Sequence, residues 1–249
     1  MFKSSDMKMI FYDEVDSTME VAIRKIQEGF ESPFMIVAKQ QTEGRGRGVN
    51  IWFSSHGGIY LTMVIPLEDE ITNEIIAMIH YSSALAVASS LNDLFSIDVR
   101  IKWPNDIVKS KKKIGGVLIE YITGAKNFLL IGIGINANII VNDLPIELQK
   151  NTISLLSILG FEIELNKLID KLKLELIEFS ILTLNKKFDF IIEKFNKKCI
   201  YTQKEIIMKD SQQFTCMGIN KYGQLSLENK NEERYLKIEE SNLIKAVKN

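Results

Sequence analysis

The sequence of 249 residues predicts an α+β fold, with strands and helices interleaved over residues 1–196 and a small β-barrel over residues 197–249. Three observations carry this expectation. Apolar runs of strand length at 8–15, 34–39, 59–65 and 128–135 alternate with helix-length segments. A stretch rich in glycine and arginine, Gln-Thr-Glu-Gly-Arg-Gly-Arg-Gly-Val-Asn-Ile-Trp at 41–52, separates two of these strands. From about residue 198 the texture changes to short alternating runs at 205–209, 213–219, 224–228 and 234–238, broken by turn signals such as Lys221-Tyr-Gly223.

The first strand leads into a helix from Ser17 to about Gly29. Ser17-Thr-Met-Glu20 fits a capping box, in which the serine oxygen takes an orphan helix N–H and Glu20 reaches back. The same Ser-Thr pair also offers hydroxyls and free N–H groups to a polar ligand, and both readings stand at this point. In the 41–52 stretch, Gly44, Gly46 and Gly48 let backbone N–H groups approach a ligand closely, while Arg45 and Arg47 add fixed positive charge. That combination suits a carboxylate or a phosphate, and an ordinary surface loop is equally compatible. Two familiar phosphate-binding patterns are excluded. No Gly-Lys-Ser/Thr follows, and Val49 stands where a dinucleotide fingerprint has its third glycine.

A long helix over about 72–94 carries small residues on several faces, as a helix packed closely under a sheet does, and its His80 reads as a packed or capping residue. Residues 99–121 read as a hairpin with a lysine-rich turn. Lys109, Lys111 and Lys112 are solvated turn charges in this reading, whereas Lys113 enters a strand just before Gly115 and Gly116, where missing side chains leave space for a ligand. Pro104 stops the incoming strand and turns Asn105 and Asp106 out of the ladder. The strand at 128–135 carries Gly132 and Gly134 on one face and ends at Asn136. Helices over about 152–160, 165–183 and 188–197 follow, with a domain boundary near Asn196.

Composition sets wide limits. Hydrophobic residues at 46% and charged residues at 25% describe a globular chain with ample core. A formal net charge of -1 implies no global pull toward nucleic acid or membrane. Cys199 and Cys216 have no metal-ligand spacing, which fits a reduced, cytoplasmic setting. The opening residues lack a signal-peptide core, and no apolar run is expected to span a membrane.

Taken together, Asp16-Ser-Thr18, Gly44-Arg-Gly-Arg47 with Trp52, Lys102-Trp-Pro-Asn-Asp106, Lys113-Ile-Gly-Gly116 and Gly134-Ile-Asn136 resemble the biotin protein ligases in order and approximate spacing. The resemblance implies a mixed, largely antiparallel sheet related to class II aminoacyl-tRNA synthetases, with a C-terminal SH3-like barrel. It implies a two-step reaction in which biotin and MgATP give biotinyl-5′-AMP, and a lysine of the biotin carboxyl carrier protein of acetyl-CoA carboxylase then takes the biotinyl group. Lys113, Arg45, Arg47 and Asp106 are the implied catalytic set. Ser17, Thr18, Met19, Gln41, Gly46, Gly115 and Gly116 join Arg45, Arg47 and Lys113 around biotin, and Trp52, Lys102, Asn105 and Asn136 join the arginines around ATP. The resemblance assigns no residue to Mg²⁺. The first catalytic strand begins within about ten residues of the start, so the expectation is the monofunctional form without a DNA reader, as a monomer or homodimer.

Departures from the family pattern are local. Met19 stands where asparagine is frequent, Gly48 and Val49 replace Arg-Gly, and Glu43 replaces alanine. Residues 239–245 lack the family's Gly-Glu-x-Ser-x-Arg run, which leaves no adenylate contact assigned to the barrel. A lipoate–protein ligase and a non-catalytic biotin-binding protein are the competing expectations.

Overall fold

The structure, a computed structural model, describes residues 7–248; most of the opening segment read for a leader peptide lies outside them. Strands β1 (Lys8–Val15), β2 (Phe34–Gln41), β3 (Ile59–Leu67), β4 (Arg100–Lys102), β5 (Asp106–Lys109), β6 (Lys112–Ile122) and β7 (Asn127–Ile135) form one sheet in the order β1-β2-β3-β7-β6-β5-β4. Only β1 and β2 run parallel; the other neighbours are antiparallel, so the sheet is mixed and largely antiparallel as expected.

Alternation along the central strands divides the core between two faces. Leu61, Met63 and Ile65 of β3 and Ile131, Ile133 and Ile135 of β7 pack with helix α2 (Asn73–Phe95) on one face. Val64, Phe128 and Leu130 pack on the other face with Met19, Val21 and Ala22 of helix α1 (Thr18–Gln27). Being covered on both faces explains why β3 reads as a continuous apolar run. It also makes Thr62, in the middle of that run and fully buried, conspicuous.

Helix α2 begins at Thr72, whose side chain accepts from the Ile75 N–H, and stops at Ser96 in a left-handed conformation. At 23 residues α2 is long and apolar enough to cross a membrane, which corrects the expectation that no segment reaches that length. Its residues are instead mostly buried between the large sheet and helices α5 (Leu165–Leu184) and α6 (Phe188–Lys198).

His80 is buried in α2, and its Nδ1 has no partner. Burial, with the Arg47 charge adding to it, drops the imidazole pKa to about 3. Below the unfolded value near 6.5 the unfolded chain takes up a proton that the folded chain does not, so this contribution erodes as the pH falls from 6.5 toward 3. We predict a loss of about 2 kcal/mol by pH 5 in unfolding experiments, removed in His80→Gln. Identical pH slopes in the two proteins would rule His80 out.

The expected hairpin at 99–121 is a three-stranded unit. Trp103-Pro104, a cis peptide, sits in the turn between β4 and β5, and Ser110 and Lys111 turn between β5 and β6 with φ of 51° and 65°. Positive φ at both central residues gives a type I′-like turn that matches strand twist. Beyond the short helices α3 (Ile146–Gln149) and α4 (Leu155–Leu159), the chain reaches α5 and α6.

A second sheet follows, with β8 (Glu205–Met208), β9 (Gln213–Ile219), β10 (Leu225–Glu228), β11 (Glu233–Leu236) and β12 (Ile244–Val247) in the antiparallel order β11-β10-β9-β8-β12. Its inward residues Ile206, Phe214, Cys216, Leu225 and Leu236 belong to the same apolar cluster as the face under α2. Asn196, at the expected boundary, stitches α6 to β9: its Oδ1 accepts from the Ile219 N–H at 2.8 Å and its Nδ2 donates to the Ile219 carbonyl at 3.3 Å. Tyr81 of α2 donates its hydroxyl to the Gly223 carbonyl at 2.7 Å, tying the sheets together a second time.

Candidate functional site

A cavity of about 1170 Å³ opens on the α1 face of the large sheet, bounded by residues 41–52, the β4–β5 turn and the C-terminal strand β12. Its floor is Thr62, Gly116, Leu118, Gly132 and Gly134. Around it stand Arg45, Arg47, Arg100, Lys102, Lys111, Lys113, Lys204, Lys245 and Lys248, while among the described lining residues Asp106 alone bears a carboxylate. A chain of net charge -1 thus concentrates cations around one cavity, and such a cavity selects anionic ligands.

Residues 44–52 form a hydrogen-bonded hairpin rather than a loose loop. The Trp52 N–H donates to the Gly44 carbonyl at 2.8 Å, Gly46 N–H to Asn50 carbonyl at 2.8 Å, and Asn50 Nδ2 to the Arg47 carbonyl at 2.7 Å. The expected glycine cradle is therefore modified, because the Gly46 N–H is spent inside the hairpin. Positive charge comes from the arginines. Arg45 pairs with Glu20 at 2.6 Å and with Glu120, and burial holds the Glu120 pKa above its usual value despite that guanidinium. Arg47 donates to the Ile238 carbonyl at 3.3 Å and to the Ser241 hydroxyl, which links the hairpin to the smaller sheet. Glu43 is exposed and does not pair with Arg45.

Trp52 lies flat against the floor. A Cβ added to Gly134 would stand 2.5 Å from its Cε2, and one added to Gly116 would stand 3.1 Å from its Cζ3. These two glycines are required by the close approach of Trp52, whereas the sequence reading expected the missing side chains to leave space for a ligand. Lys113 Nζ lies 4.9 Å from the Trp52 ring centroid and 2.6 Å from Asp106 Oδ1, so one ammonium is held between an aromatic face and a carboxylate. Asn105 fixes the turn that carries Asp106, donating its Nδ2 to the Val117 carbonyl at 2.6 Å, and Lys102 lines the cavity as an exposed cation.

Two expected site residues stand elsewhere. Gly115 faces the opposite side of β6, where a Cβ would meet the Gly134 carbonyl oxygen at 3.0 Å. Adjacent strand residues point to opposite faces, so only Gly116 can open the cavity. Asn136 is buried and does not line the cavity; its Nδ2 donates to the carbonyls of Lys113 and Ile153, each at 3.3 Å. It braces the strand that presents Lys113.

At the α1 end, Ser17 caps the helix by accepting from the Met19 N–H at 3.2 Å. Glu20 does not complete the capping box, because Arg45 holds it. Gln41 Oε1 accepts from the Thr18 N–H at 2.7 Å and from the Thr18 hydroxyl at 3.1 Å, and its Nε2 donates to Ser54 Oγ at 2.8 Å. Met19 is buried against Gly132, where an added Cβ would approach its Cε to 2.9 Å. An apolar wall therefore replaces any amide contact at that position. Glu20, Ser54, Thr62, Glu120, Ser241 and Asn242 were not foreseen. For Thr62 the signal was a lone hydroxyl within an apolar strand.

The fold and the site define a mixed-sheet protein with a cationic cavity closed by an arginine hairpin. Residues 12–138, half of the chain, match the biotin/lipoate A/B protein ligase family, and the chain belongs to that family. It is 32% identical over 159 residues to the bifunctional ligase/repressor BirA of Bacillus subtilis, a match covering 63% of this chain and 48% of that protein. It is 35% identical over 158 residues to the human biotin–protein ligase, covering 57% of this chain and 22% of that protein. The chain thus spans about half the length of the Bacillus relative and about a fifth of the human one. Among solved structures, the biotin protein ligase of Aquifex aeolicus in complex with biotin and ATP is 26% identical with a TM-score of 0.75, covering 92% of this chain and 95% of that one.

Proposed function

We propose that this chain activates biotin with ATP to biotinyl-5′-AMP and transfers the biotinyl group to a lysine of the biotin carboxyl carrier protein of acetyl-CoA carboxylase. The observation that carries the reading is Lys113, held at the glycine floor beside Asp106 in a cavity whose other described charged residues are all cations. The Aquifex relative bound to biotin and ATP supports the choice of ligands.

In the first step a biotin carboxylate oxygen attacks the α-phosphorus and pyrophosphate leaves. Two anions must be held together, and preorganised cations lower that barrier. Lys113 contacts the carboxylate and the α-phosphate, exchanging part of its pairing with Asp106 for them. Arg45 and Arg47 turn from Glu20, Glu120 and Ser241 toward the ligand as the hairpin closes. Trp52 and Asn105 border the nucleotide, while Ser17, Thr18 and Gln41 order the ring end of biotin. In the second step a neutral carrier amine attacks the acyl carbon, AMP leaves, and Asp106 is the carboxylate placed to orient that amine or take its proton.

No cluster of three or more metal-ligating side chains occurs among the described residues. Mg²⁺ would enter on the phosphates of ATP with one or two protein carboxylates, and Asp106 is the one that the described lining residues provide. Held there by Asp106, Mg²⁺ would supply positive charge to offset that of the phosphates. A cytoplasmic location goes with the reading, supported by Cys199 and Cys216, both buried and unpaired.

The test is ATP–pyrophosphate exchange by purified protein without carrier, supplying biotin or lipoate in turn. Exchange dependent on biotin is expected. Exchange dependent on lipoate, or none with either, would refute the proposal.

A further inference from the structure

Arg45 lines the cavity from the hairpin, yet its guanidinium ends on two carboxylates that are not among the described lining residues. Its Nη1 donates to Glu20 Oε1 at 2.6 Å, and its Nη2 donates to Glu120 Oε1. The two acids come from different elements. Glu20 sits in the first turn of α1, where the helix dipole favours a carboxylate. Glu120 shares a face of β6 with Gly116 and Leu118 of the cavity floor and stands one step beyond them. The two other cations placed on the ligand are held differently. Lys113 meets Asp106 within the cavity, and Arg47 meets a neutral carbonyl and a neutral hydroxyl.

A guanidinium shared by two carboxylates is counterbalanced before any ligand arrives. Burial holds the Glu120 pKa above its usual value, and the Glu20 charge adds to the rise even with Arg45 in place. Taking Arg45 away leaves these two carboxylates facing each other without their counter-ion. That cost opposes the turn of Arg45 toward a ligand, whose carboxylate or phosphate has to displace both acids. The side chains of Arg45, Glu20 and Glu120 are 37%, 41% and 24% exposed, so water screens the trio and keeps the hold moderate.

We infer that Glu20 and Glu120 are positioning residues that act as a built-in competitor: they hold the Arg45 guanidinium away from the empty cavity and so set how strongly the site draws its anionic ligands. The inference rests on the reading above, in which Arg45 turns to the ligand, and goes beyond it by giving a function to two acids outside the cavity. The sign of the effect separates this role from a structural one. Neutralising either acid improves the first half-reaction if the pair competes with the ligand, and weakens it if the pair only braces the hairpin.

Glu120→Gln keeps the shape and removes the charge, and Glu20→Gln does the same on the other side. In carrier-free pyrophosphate exchange with biotin saturating, kcat/KM for ATP is expected to rise about three- to fivefold in each, the scale of a partly exposed ion pair. Glu43→Gln is the control. It removes an equal charge beside the hairpin from an exposed side chain that does not pair with Arg45, and it should leave kcat/KM at the wild-type value. An unchanged or lowered kcat/KM in either Glu20→Gln or Glu120→Gln, with an active wild type, would overturn this inference alone. An equal rise in Glu43→Gln would trace the gain to the long-range field and also overturn it. A wild type without biotin-dependent exchange would remove both this inference and the reading beneath it.

Discussion

Lys113→Ala is expected to lower biotin-dependent pyrophosphate exchange by about two to three orders of magnitude, the usual loss when a preorganised charge is removed from a site of developing negative charge. The fold should survive the change. The Lys113 side chain is 37% exposed and that of Asp106 26%, so the carboxylate left behind can be hydrated. The backbone of Lys113 is secured independently, its N–H donating to the Asn151 carbonyl at 2.7 Å and its carbonyl accepting from the Ile153 N–H at 2.9 Å. A melting temperature near that of the wild type with collapsed exchange would place the effect in the chemistry. Exchange within threefold of wild type would remove Lys113 from its proposed role.

The second large effect belongs to Gly134. In Gly134→Ala the new methyl group would occupy space 2.5 Å from Trp52 Cε2 and 2.7 Å from its Nε1, well inside contact distance. The indole must leave the floor, taking with it the face that Lys113 lies against and the end of the arginine hairpin. Overpacking of this kind costs up to about 3 kcal/mol, which corresponds to roughly a hundredfold loss of exchange if the seated Trp52 is part of the reacting arrangement. Trp52 is one of two tryptophans, and Trp103 is buried, so a red shift in emission would report the unseating. Normal emission and normal exchange in Gly134→Ala would mean that the indole stays seated and that the strand beneath it yields instead.

Much of this site was legible because its motifs are contiguous. Arg45, Arg47, Trp52, Asp106, Lys113 and Gly116 occupy short stretches whose spacing survives folding, and all line the cavity. Errors arose where parity or long-range pairing decides. Gly115 and Gly116 read alike in the sequence, although one strand cannot turn both to the same face. Glu20 matched a capping box, yet Arg45 from 25 residues away captures its carboxylate, with Glu120 on β6 completing the trio. Thr62 meets Thr18 only when β3 is set under the start of α1, which no local pattern specifies. The strands of the smaller sheet were visible by alternation except β12, four residues directly after a 3₁₀ turn, whose pairing with β8 depends on a partner nearly forty residues earlier.

The apolar interior shared by the two sheets constrains how this chain can diverge. Residues of β8 to β11 complete the same interior that α2 and the large sheet begin, and Asn196 and Tyr81 bridge the halves with directed bonds. The smaller sheet is therefore not a cassette that recombination can exchange freely between lineages. A transplanted version would have to arrive with side chains that fit α2 and with a carbonyl at the position of Gly223, so the two halves are bound to co-evolve even where neither touches a ligand.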